Sequence, residues 1–134
     1  MNIIDAIDSN LFLKELFPLG LTEDVFLGQI GFDVEGRISL NIHTKQRPEK
    51  EIVKWGVWGK DYDVIVIKLL GRGGKSVNIK NLKNINYSPL FIAQHNDGYI
   101  IKQVSDSWSV EFDFDIMIFQ RCNVYIDGGD DPAL

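Results

Sequence analysis

The stretch "IGFDVEGRISLNI", residues 30–42, constrains the fold of this chain more than any other feature. Ile30, Phe32 and Val34 alternate with small or polar residues, and Ile38, Leu40 and Ile42 repeat the pattern after Glu35-Gly36. A period of two sends successive side chains to opposite faces of a strand. The stretch therefore predicts a β-hairpin with one buried and one wetter face. Similar patterns return downstream. "YDVIVIKLL" (62–70) is apolar on both faces over Val64 to Ile67, as a central strand requires. "SVNIKNL" alternates after a glycine turn, and "PLFIAQH" and "YIIKQV" flank the turn Asn96-Asp97-Gly98. "WSVEFDFDIMIF" and "RCNVYI" complete a strand-dominated second half.

Only the beginning breaks the rule. Ile3, Ile4, Ile7, Leu11, Phe12, Leu16 and Phe17 fall at roughly helical spacing, with Ser9 or Asn10 as a cap and Pro18 with Gly20 as a stop. The expected fold is α+β and β-rich: a largely antiparallel sheet, either a sandwich or a half-barrel, with one or two short N-terminal helices packed on it. One domain accounts for residues 1–134: a helical segment over 3–17, a β-rich body over 24–126 and a frayed acidic tail over 127–134.

The charge balance narrows the partners. Fourteen Lys and Arg against nineteen Asp and Glu leave a net charge of −5. That disfavours nucleic acid and anionic membranes and suits a basic protein partner. A single cysteine, Cys122, rules out an internal disulfide and a multi-cysteine zinc site. The opening "MNIIDAIDSN" has no basic n-region and places Asp5 and Asp8 where a secretory signal would be apolar. No apolar run approaches the ~18 residues of a membrane span. The expectation is a cytoplasmic protein.

Few residues suggest chemistry. Glu111, Asp113 and Asp115 alternate with Val110, Phe112 and Phe114. With Ile116 also facing inward, three carboxylates would share one solvated strand face. Such a row serves as a plain wet face, as a docking face for a basic partner, or as a weak cation or acid/base site. Catalysis would need carboxyls in unlike environments, and a metal would need further ligands. "GRGGKS" ends like a phosphate-binding loop but has Leu69 where the first glycine belongs, and it leads into a strand. It reads as a glycine-rich hairpin turn. His43 and His95 form no ligand pattern, and Cys122 sits in an apolar strand, so no metal, cofactor or catalytic residue is expected. The long connection 45–61 carries Trp55 and Trp58 between glycines. Trp55 suits packing over the sheet, and Trp58 suits either packing or a partner-binding anchor.

Over roughly residues 9–127 the chain resembles the immunity protein 50 family of bacterial polymorphic-toxin systems. The resemblance is carried by the acidic-apolar hairpin "LFPLGLTEDVFLGQIGFDVEGRISLNIHT" and by Pro48 leading to Lys54-Trp55. The strands "YDVIVIKLL" and "KSVNIKNL" and the closing "SVEFDFDIMIFQRCNVYI" continue it. It implies a cytoplasmic binding protein without catalysis, which neutralises a cognate toxin domain by tight association. If that toxin is a nuclease with a basic active site, Glu111, Asp113 and Asp115 become the docking face, with Trp58 as an aromatic anchor. The alternative is an adaptor or a small-molecule-binding β-domain.

Overall fold

The computed structural model describes residues 1–128. The last residues of the expected tail, 129–134, lie outside the described residues. Asp127 itself is tied down: its amide donates to the Asp63 carboxylate at 2.7 Å, and its carboxylate pairs with Lys45 at 3.3 Å.

Eight strands dominate: β1 Val25–Phe32, β2 Arg37–Thr44, β3 Val64–Arg72, β4 Val77–Lys80, β5 Phe91–His95, β6 Gly98–Val104, β7 Ser109–Phe114 and β8 Ile116–Tyr125. They form two antiparallel four-stranded sheets, ordered β1-β2-β3-β8 and β4-β7-β6-β5. The β-rich α+β expectation holds. Val64 to Ile67 are buried on both faces, as the apolar run required. One apolar core is shared by both sheets and includes Leu40, Ile65 and Ile67 from the first and Ile101, Val110 and Phe112 from the second.

The N-terminal segment forms a 3-10 turn, Ile3–Ala6, and a short helix α1, Leu11–Leu16. Ile3, Ile4, Ile7, Leu13, Leu16 and Phe17 are buried in the common core. Leu11 is not, at 74% exposed, because the helix turns Leu13 and Leu16 inward instead. Asn10 stands at the N-cap but makes no capping bond; its side-chain amide donates to the Ile4 carbonyl at 2.8 Å, which fixes the turn to the helix.

Three local departures have physical reasons. Val34 is fully exposed, because the Asp33 carboxylate accepts the Glu35 and Arg37 amides and closes the turn at once. Ile116 does not join Val110, Phe112 and Phe114 inside; it is half-exposed, and Met117 is buried in its place. The chain leaves the second sheet after Phe114 and enters the first at Ile116, so the inward phase slips by one residue. For the same reason "GRGGKS" is not a hairpin turn. β3 pairs with β8 in one sheet and β4 with β7 in the other, so these glycines bend a two-stranded ribbon from sheet to sheet. Gly73, at φ +85°, takes the left-handed conformation that this bend requires.

The other seam is pinned by a polar clamp. Val25 and Ser88 exchange both backbone hydrogen bonds at 3.0 Å. Gln103 on β6, 1% exposed, donates its amide to the Val25 and Ser88 carbonyls at 3.0 and 2.9 Å. The two sheets thus share one core, joined by the ribbon at one seam and by the Val25–Ser88 bridge at the other.

Candidate functional site

The three carboxylates lie where the ribbon changes sheets. Glu111 and Asp113 share the outer face of the second sheet, since Val110, Phe112 and Phe114 between and beside them are buried. Asp115 has left the strand. It sits at the corner, its amide donating to the Arg72 carbonyl at 2.9 Å. Its carboxylate rests between Gly73 and Gly98, where a β-carbon on either glycine would crowd it, and lies 4.0 Å from the Lys75 ammonium.

The three charges have unlike surroundings. Glu111 faces Lys102 across the strands at 3.8 Å, an exposed pair of small energetic value. One oxygen of Asp113 accepts the amides of Lys75 and Ser76, both at 2.9 Å. Burial pushes the Asp113 carboxyl upward, but those amide bonds, with the Lys75 ammonium behind them, outweigh it and hold the carboxyl below its ordinary value. Two backbone amides of this glycine-rich segment, which is not a phosphate loop, are thus taken up by the chain's own Asp113.

Asp113 is therefore a latch as well as a surface charge. Asp113→Ala is expected to cost about 1–2 kcal/mol at pH 7, for two charge-assisted hydrogen bonds at a partly wetted site. Asp113→Asn should cost about half as much, since it keeps an acceptor. A carboxyl depressed in the folded state stabilises above its unfolded pKa, and the gain is lost as pH falls through the folded value. The gap between wild type and Asp113→Asn should thus be full above pH ~4 and shrink below it. Denaturant melts from pH 7 to pH 3 read this directly; a gap that does not vary with pH would remove the latch.

Trp58 stands apart from these groups. It packs edge-on against Tyr62 with ring centroids 5.3 Å apart, while Trp55 packs against both Tyr62 and Phe12 at 5.8 and 6.0 Å. Both tryptophans are half-buried, and Tyr62 is 1% exposed. The loop is strapped to the N-terminal segment by the Glu49 amide on the Leu16 carbonyl and by Lys50 on Glu15 at 3.1 Å. Tyr62 precedes β3, whereas the acidic corner follows it. The two parts of the expected docking face are therefore separated by the length of a nine-residue strand, about 26 Å. The structure does not bring Trp58 and the carboxylates together.

The remaining reactive residues pack. Cys122 aligns with Ile67 and Ile42 on the inner side of the first sheet, and burial pushes its thiol up to about 12. His43 is on the opposite face, so no Cys–His pair forms. Its Nδ1 lies 3.0 Å from the Tyr125 hydroxyl, against the Phe26 ring. Burial lowers the His43 pKa and raises those of Tyr87 and Tyr125, so the cluster is neutral at pH 7. Among the described residues no three His, Cys, Asp or Glu side chains gather as a metal site, and no helix is long and apolar enough to cross a membrane.

One feature was not anticipated from sequence. On the outer face of the first sheet, an open groove of about 460 Å³ runs over Leu70, Ile116 and Ile118, with Arg37 and Arg72 at its rim. The signal was present in Lys68, Leu70 and Arg72, spaced by two along β3. It was masked because the apolar Leu69-Leu70 step reads as core on both faces. Comparison of the chain with family models, with curated proteins and with solved structures finds no match.

Proposed function

We propose that this chain is a non-catalytic binding protein of the immunity type, which neutralises a cognate toxin domain in the cytoplasm by direct association. The observation that carries the reading is the outer face of the second sheet. There Glu111 and Asp113 stand beside Phe91 at 56% exposed, Val104 at 65% exposed and half-exposed Ile100. Apolar side chains ringed by ionised groups are what a protein interface uses: the first supply affinity, the second speed and steer encounter. Asp113 stays ionised throughout the physiological range, so the face keeps its charge. Lys80 and Lys102 stand on the same face, so its charge is mixed, and its carboxylates would meet the cations of a basic partner such as the active site of a nuclease. The family resemblance points the same way.

The test is co-expression of the chain with each toxin domain encoded in its own genome. One toxin should lose its lethality. The double variant Glu111→Lys, Asp115→Asn leaves the Asp113 latch intact and keeps the shape of the side chain between Gly73 and Gly98. It should slow association with that toxin by roughly tenfold at low salt and flatten the salt dependence. An unchanged rate and salt dependence would remove this face from the interface. An adaptor would bind a partner without relieving any toxin.

A further inference from the structure

We infer that the outer face of the first sheet is a second docking surface, and that it takes an acidic, amphipathic segment of a partner protein. The inference rests on the reading of this chain as a protein-binding domain, and not on the partner's being a toxin. Two rows of cations cross this face. Arg37 and Arg72 are in register on β2 and β3, and Lys68 and Arg121 are in register on β3 and β8. Like charges directly opposite one another destabilise a sheet. Sequences that place them so usually set a carboxylate beside them. Here Asp33 and Glu35 pair with Arg37 only. Among the described residues Lys68, Arg72 and Arg121 make no ion pair, in a chain with an excess of five acidic groups.

Between the two rows lies an apolar one. Leu70 and Ile118 are in register, 47% and 37% exposed, and Ser39 beside Leu70 keeps the floor low. Ile116 extends the apolar floor alongside Arg72. The cationic rows are four residues apart along β3, about 13 Å. An extended segment with two carboxylates four residues apart and an aliphatic side chain midway matches this spacing. One carboxylate would meet Arg72, the other Lys68 and Arg121, with the aliphatic group over Leu70 and Ile118. A nucleic acid fits less well. The floor between the cationic rows is aliphatic, the one aromatic ring lining the groove, Phe32, is engaged edge-on with Phe112, and the net charge repels a phosphate backbone.

The experiment uses a synthetic peptide with the core Glu-Ser-Leu-Ser-Glu, titrated into the labelled full chain while backbone amide shifts are followed. Shifts should concentrate on β3 and β8 around Leu70 and Ile118, and affinity should fall roughly tenfold when salt is raised to about 300 mM. Arg72→Glu with Arg121→Glu should weaken binding at least roughly tenfold, and a peptide with Ala for Leu should also bind more weakly. Lys68→Gln removes one like-charge pair. It should fold at least as stably as wild type and still lose affinity, which separates docking from folding. The inference is overturned if the peptide shifts no residue of this face, or if the charge variants bind as wild type. It is also overturned if a single-stranded oligothymidine shifts the same residues more strongly. Toxin rescue without peptide binding would remove this surface and leave the proposed function standing; peptide binding without rescue would do the reverse.

Discussion

Phe112→Ala is expected to destabilise the protein by about 3–5 kcal/mol, the usual cost of truncating a buried phenylalanine. Phe112 is 1% exposed and lies on β7, one step from the latch residue Asp113. Its ring meets that of Phe32 on β1 edge-on, with centroids 5.4 Å apart. The contact joins the two sheets at the seam that the β3–β4 and β7–β8 ribbon also holds. The cavity would open where the backbone is already bent, leaving neighbouring side chains little freedom to close it. Domains of this size are stable by roughly 5–15 kcal/mol, so the variant should lose about a fifth or more of that and melt some 10 °C lower. Calorimetry of the two proteins checks it. A loss below about 1 kcal/mol would mean that the sheets are not held together through this ring.

The second large effect is expected at Gly98, the first residue of β6. A β-carbon there would collide with the Phe114 carbonyl oxygen and stand 2.9 Å from an oxygen of Asp115. The collision is with backbone at the sheet-changing corner, which cannot rotate away as a side-chain tip would. Gly98→Ala should therefore cost about 3 kcal/mol, at the upper end for overpacking. Gly31→Ala is the control, because a β-carbon there meets only the Ser39 β-carbon at 3.6 Å and a carbonyl at 3.9 Å. It should change stability by less than about 0.5 kcal/mol. Equal effects at the two glycines would mean that the corner is soft.

These two sites mark where the sequence is hardest to read. The hairpins, the doubly buried stretch Val64–Ile67 and the N-terminal helical segment follow from periodicity, because burial selects side chains by face. Periodicity does not register a change of sheet. "VEFDFDIMIF" alternates smoothly through Asp115, although the chain there leaves one sheet for another and sends Met117 inward instead of Ile116. The same corner gives the carboxylates separate tasks: Glu111 faces Lys102, Asp113 holds two amides and Asp115 fits between glycines. Those partners lie up to 42 residues away in sequence, at Gly73, Lys75 and Ser76, and no local pattern links them. The distance of Trp58 from the acidic corner is hidden for the same reason, since it depends on which end of β3 each loop follows. The cationic rows on the first sheet's outer face become visible only once the register of β2, β3 and β8 is known.

The most direct test of binding without catalysis is a titration. The purified chain is added in increasing amounts to a fixed amount of the toxin domain it relieves, and the remaining toxin activity is measured. Stoichiometric binding predicts a linear fall to zero at one chain per toxin, with the toxin recovered unmodified after denaturation and separation. Complete loss of activity at a small fraction of an equivalent would mean turnover, and would contradict the proposed function.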